Sequence, residues 1–141
     1  MSAKLAFRIA AVILVLFAAG HTFGFLHFQA PTAEGRAVFQ AMRNVSFRVG
    51  NEEFSYGKFY EGFGLNATLW MLFGAFSCWQ YGGLVARAPR AVAVMGWAFV
   101  VLQIISFVLS VIYFSVPPAV FSLVVAAILA WGAWRAQKQA A

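Results

Sequence analysis

The sequence predicts an all-α membrane protein, a four-helix transmembrane bundle with a short amphipathic helix in its first extracytoplasmic loop. Hydrophobic residues make up 63% of the 141-residue chain and charged residues 10%, against about 45–50% and about 25% in soluble globular domains. A soluble domain this small has too much of its volume near the surface to hide that apolar content. The residues 9–33, 62–86 and 91–134 contain no Asp, Glu, Lys or Arg, and the last run is 44 residues long. That is enough for two crossings at about 20 residues each. Backbone amides in hydrocarbon need internal partners, and runs this long without strict alternation select helices over a closed barrel.

The first span is expected at about 5–28. Lys4 and Arg8 before an apolar core also suit a signal peptide, but the core continues through Phe28 without a small-residue cleavage site, so the span is expected to be retained. The second span is expected at about 62–84. Pro117 and Pro118 divide the long third run into helices at about 92–114 and 117–134. Together these form a single transmembrane domain over 1–141.

The outer loop, about 29–61, is the one sizeable polar part. Thr32 is placed to cap a helix over AEGRAVFQAMRNV, with Glu34 in its first turn. Val38, Phe39, Met42 and Val45 give that helix an apolar side, opposite Arg36, Gln40 and Arg43. It is expected to act as a lid. FRV, GNE and EFSYG then predict a turn flanked by short extended pieces, and SYGKFYEGFG leads into the second span.

Basic residues orient the chain. Lys4 and Arg8, Arg87 and Arg90, and Arg135 and Lys138 fall at one side of the membrane, whereas Arg36, Arg43, Arg48 and Lys58 on the other side are matched by Glu34, Glu52, Glu53 and Glu61. The positive-inside rule then puts both termini in the cytoplasm, as expected in a bacterial inner membrane. The formal net charge of +6 suits anionic lipid headgroups. The basic residues form no stripe of the kind that binds nucleic acid. Trp97, Trp131 and Trp134 near span ends fit the interfacial aromatic belt.

Cys78 is the single cysteine, suited to a small buried contact, and no metal or cofactor framework is expected. By depth, His21 lies about 10 Å inside the outer end of the first span. Asn66, Ser110 and Ser122 fall near the same level, one from each other span. Asn66, Trp70, Phe73, Ser77 and Tyr81 recur at helical spacing, as do Phe99, Gln103, Ser106 and Ser110. Buried amides need partners, so these stripes are expected to face inward around an outer-leaflet pocket. Asn66, Trp70, Gln103, Ser106, Ser110 and Ser122 are its candidate ligand contacts. Gly20 and Gly24 form a GxxxG pair suited to close helix contact, leaving open a homodimer or a larger membrane complex.

Any chemistry would use His21 with Glu61, the nearest carboxylate, and Tyr60 as a hydrogen-bond donor. For His21 the competing role is an interhelical hydrogen bond to Asn66 or a serine; for Glu61 it is a solvated end charge. His27 lies near the headgroups.

The segments HTFGFLHF, PTAEGRAVFQAMRNV and SYGKFYEGFG together resemble a family of small uncharacterised bacterial four-helix integral membrane proteins. These have a GHT segment in helix 1 and an F/Y-rich start to helix 2. The resemblance covers about half the chain, implies the bundle and brings no activity with it. The polar layer around His21 is similar in kind to sites in four-helix lipid-modifying enzymes and sterol-type isomerases. Small multidrug exporters share the helix count, but this chain lacks a carboxylate in helix 1. The expected function is binding of an amphipathic small molecule such as a lipid or isoprenoid. The alternatives are a small membrane enzyme using His21 and Glu61, and an accessory subunit.

Overall fold

The computed structural model describes residues 1–140. In order it contains α1 (Ala3–Leu26), α2 (Ala33–Asn44), β1 (Ser46–Val49), β2 (Glu52–Ser55), α3 (Tyr56–Leu84), α4 (Pro89–Tyr113) and α5 (Val116–Ala140). Three of the helices, α1, α4 and α5, are long and apolar enough to cross a membrane. At 1.5 Å per residue, a 25-residue helix such as α4 or α5 spans about 37 Å, more than the hydrocarbon thickness of about 30 Å.

Helix ends follow local capping chemistry. α1 starts two residues before the expected position because the Ser2 hydroxyl accepts from the Leu5 amide at 3.2 Å. α3 starts six residues early, so SYGKFYEGFG is helical; Ser55 supplies the cap by accepting from the Lys58 amide at 3.2 Å. Pro89 opens α4, and Pro117 and Pro118 lie in the first turn of α5, where a missing amide hydrogen breaks no intrahelical bond. α5 continues past Trp134 because Arg, Ala, Gln and Lys are good helix formers, with Lys138 well placed at the negative end of the helix dipole.

The chain forms two compact units. The first contains Met1–Phe17 and the chain from Met71 onward. In it α4 and α5 form an antiparallel hairpin through Phe114 and Ser115. The buried face of α5 carries Ala119, Ser122, Ala126, Leu129, Ala133 and Ala136. Small residues at this spacing let backbones approach, and close packing holds helices together where lipid removes the usual hydrophobic drive. Phe7 is fully buried. A Cβ on Gly96 would lie 3.0 Å from the Phe7 ring, and one on Gly132 would lie 3.3 Å away, so the two glycines form its socket. Tyr81 meets the same ring edge-on at 5.8 Å.

The second unit, Ala18–Trp70, contains the end of α1, α2, the hairpin and the first half of α3. In the hairpin Ser46 pairs with Ser55 and Val49 with Glu52. Gly50 has φ of 62°, the only positive φ among the described residues, as the first position of a II′-type two-residue turn requires. Thr32 caps α2, its hydroxyl accepting from the Gly35 amide at 3.0 Å. Because α2 has no buried residue, this cap is a large part of what holds it. Thr32→Ala is therefore expected to cost about 1 kcal/mol. By hydrogen exchange the Glu34–Arg36 amides should lose about fivefold protection; unchanged rates would mean packing alone holds α2.

Candidate functional site

The second unit brings together several residues singled out by the sequence. His21 Nε2 lies 3.2 Å from the Gly64 carbonyl. A carbonyl can only accept, so Nε2 is the donor in this contact. His21 thus ties α1 to α3 through backbone. One residue on, the Thr22 hydroxyl donates to the Ala18 carbonyl at 2.8 Å and lies 2.8 Å from Thr68 Oγ1. His27 is exposed, and its Nδ1 donates to the Phe23 carbonyl one turn back at 2.8 Å.

These contacts depend on small residues. A Cβ on Gly64 would lie 2.4 Å from the Phe25 ring, so the bare glycine lets that ring lie flat on α3. Phe25 stacks on His21 with centroids 5.9 Å apart and meets Tyr60 at 5.3 Å. Tyr60 meets Phe39 of α2 at 6.1 Å, and Phe39 meets Phe28 at 5.5 Å. An aromatic run therefore joins His21 to α2. The last turn of α2 rests on Gly57, where a Cβ would lie 3.2 Å from Arg43 Cγ.

Between these elements lies a cavity of about 50 Å³. Phe25, Phe28 and Phe39 give its apolar wall, and Arg43, Tyr60 and Glu61 its polar side. Tyr60 and Glu61 thus share one cavity, with Arg43 as a third polar group. His21 reaches this cavity only through Phe25. By sequence alone Arg43 belongs to the water-facing side of the lid, and neither Thr22 nor Thr68 is among the candidates. The available signal was the small-residue pair Gly64 and Thr68, four apart on one face of α3.

The other candidates are placed differently. Asn66 and Trp70 are exposed, although their stripe was expected to face inward. The contact face of α3 instead follows Gly64 and Thr68 in this unit and Ala75, Cys78 and Gly82 in the first. Residues 66 and 70 lie well around the helix from that face. A Cβ on Gly20 or Gly24 would meet nothing within 4 Å, so this GxxxG pair makes no close crossing among the described residues. In the first unit Gln103 is half-buried. Ser106 and Ser122 hydrogen-bond at 3.1 Å, and Ser110 and Ser122 are 5% and 2% exposed.

Three apolar spanning helices and a short polar-sided cavity beneath an amphipathic helix define a multi-pass membrane protein. No family model matches the chain, and neither a curated protein nor a solved structure matches it.

Proposed function

We infer that the protein is a four-helix bundle of the bacterial inner membrane that binds an amphipathic small molecule, such as a lipid or isoprenoid. α3 supplies the fourth crossing through its charge-free residues 62–84. Both termini face the cytoplasm, and α2 lies in the outer loop. The resemblance of the GHT-containing and F/Y-rich segments to small bacterial four-helix proteins supports this architecture. The basic residues at 4, 8, 87, 90, 135 and 138 support the orientation.

One observation carries the binding function: Arg43, Tyr60 and Glu61 converge on one cavity whose opposite wall is aromatic. Few polar groups set in an apolar wall are the usual makings of a small-molecule site. Arg43 suits a phosphate or carboxylate, Glu61 accepts from a hydroxyl or amine, and Tyr60 donates to an oxygen. At about 50 Å³ the cavity would admit only the polar end of such a molecule, and its apolar part would run outward over exposed Phe28. Binding is favoured over catalysis because His21 does not line the cavity and is separated from Tyr60 and Glu61 by the Phe25 ring. An enzyme using His21 and Glu61 remains the second reading, with Glu61 in the cavity as its support.

Native mass spectrometry of the gently solubilised protein, followed by lipid identification, tests this. Wild type should carry a discrete amphiphile, and Arg43→Gln should lower its occupancy about tenfold, the loss of one charge-assisted hydrogen bond. An empty wild type that takes up nothing from a lipid extract would overturn the assignment. A co-purifying protein mass with no amphiphile would favour an accessory subunit instead.

A further inference from the structure

The first unit has a charge imbalance that its own residues cannot relieve. All four acidic residues of the chain, Glu34, Glu52, Glu53 and Glu61, belong to the second unit, where four basic residues balance them. The remaining six basic residues lie in the first unit, which has no acidic side chain. Five of these six are exposed. Arg8 differs. It is half-buried in α1, its Nε is buried without a hydrogen-bond partner among the described residues, and its guanidinium lies 4.3 Å from the centre of the Trp79 ring. The face of an indole attracts a cation but does not neutralise it. A cation held at the edge of hydrocarbon calls for an anion.

Trp79 also closes one end of an apolar groove of about 390 Å³ between α1 and α3. Buried Ala11 and Ala75 form its floor, and exposed Val12, Leu16 and Phe76 rise at its sides. The small floor residues make a channel where larger ones would fill it. From Arg8 to Leu16 is about 12 Å along the helix at 1.5 Å per residue. One leaflet's hydrocarbon, half of a core of about 30 Å, is of similar depth. A cation at one end and a leaflet-deep apolar channel leading from it match a single chemistry.

We propose that this groove is a binding site for an anionic phospholipid, whose phosphate pairs with the Arg8 guanidinium and whose acyl chain lies in the groove over Ala11 and Ala75. The Nε is sequestered, so the terminal guanidinium nitrogens meet the phosphate, with Trp79 fixing the plane of the group. Lys4, one turn earlier and exposed, adds to the local positive potential. The site uses residues of the first unit alone and does not depend on the ligand of the Arg43 cavity.

The test is native mass spectrometry of the full chain in defined detergent with equal amounts of phosphatidylglycerol and phosphatidylcholine. Wild type is expected to retain one phosphatidylglycerol, preferred at least fivefold, the scale of one basic residue near an anionic headgroup. Arg8→Gln should remove the preference while Arg8→Lys keeps part of it. Val12→Trp, which fills the channel from an exposed position, should release both lipids; Leu16→Trp gives the same test if the first variant does not accumulate. Lys138→Gln removes a cation that rests on Trp134 at 4.2 Å and should leave the preference intact. Equal losses in Arg8→Gln and Lys138→Gln would reduce the effect to general surface charge and overturn the site. So would a wild type without preference, or groove variants that keep the adduct.

Discussion

Phe7→Ala is expected to lower stability by about 3–5 kcal/mol, the usual range for emptying a buried aromatic position. Phe7 is fully buried against Gly96, Gly132 and the edge of Tyr81, so one side chain links α1 to α3, α4 and α5. Equilibrium unfolding in mixed micelles would measure the loss. A cost below about 1 kcal/mol, less than deletion of a single well-packed core side chain normally brings, would show that the helices close over the gap. The complementary change fills the socket. A Cβ on Gly96 would lie 2.9 Å from the Ala133 Cβ and 3.0 Å from the Phe7 ring. The alanine Cβ has no rotamer by which to yield, so Gly96→Ala must push α4 from α5, an overpacking cost of about 1–3 kcal/mol. The two substitutions share a space, and their double mutant should depart from additivity.

Gly64→Ala should have the largest effect on the Arg43 cavity without touching any of its polar groups. The added methyl would lie 2.4 Å from the Phe25 ring, which must swing away from α3. Phe25 lines the cavity, stacks on His21 and meets Tyr60 at a tilt, so its displacement disturbs the aromatic wall and the contact through Tyr60 to α2. Overpacking of this kind costs about 1–3 kcal/mol, and amphiphile occupancy by native mass spectrometry should fall at least tenfold. The ring sits at the free end of a side chain, so the fold itself should survive. Retained occupancy with unchanged hydrogen exchange in α2 would show that Phe25 is not needed at the site.

Much of the fold was legible because its causes are local. Thr32 was identified as a cap from its place before a first-turn glutamate. The GNE turn between short extended segments follows from glycine's access to positive φ, and Gly50 adopts it. Pro117 and Pro118 separated α4 from α5. The early starts of α1 and α3 were missed, although Ser2 and Ser55 are ordinary cap residues; hydropathy dominated the reading of those boundaries. At the candidate site, Tyr60 and Glu61 could be named from their place beside the mouth of a span. Arg43 could not, since on an isolated amphipathic helix it belongs to the polar side.

The choice of helix faces is where sequence reading diverged most. Polar Asn66 was expected to point inward and is exposed, whereas Gly64, Thr68, Ala75, Cys78 and Gly82 mark the contacts of α3. Gly20 and Gly24, a suitable pair by spacing, meet nothing closely among the described residues.

By itself, then, the sequence determined that this chain belongs in a membrane, that it is built of long helices and where its one polar loop is folded, because hydrocarbon thickness, chain-break residues and caps act over a few neighbours at a time. Only the tertiary structure decided which face of each helix is used, that Phe7 fills a socket of two glycines, and that Arg8 stands on Trp79 at the head of an apolar channel. The physical reason is the solvent. In water an apolar stripe points to the core, but in lipid both faces of a helix are apolar, and close van der Waals fit between particular partners selects the contact.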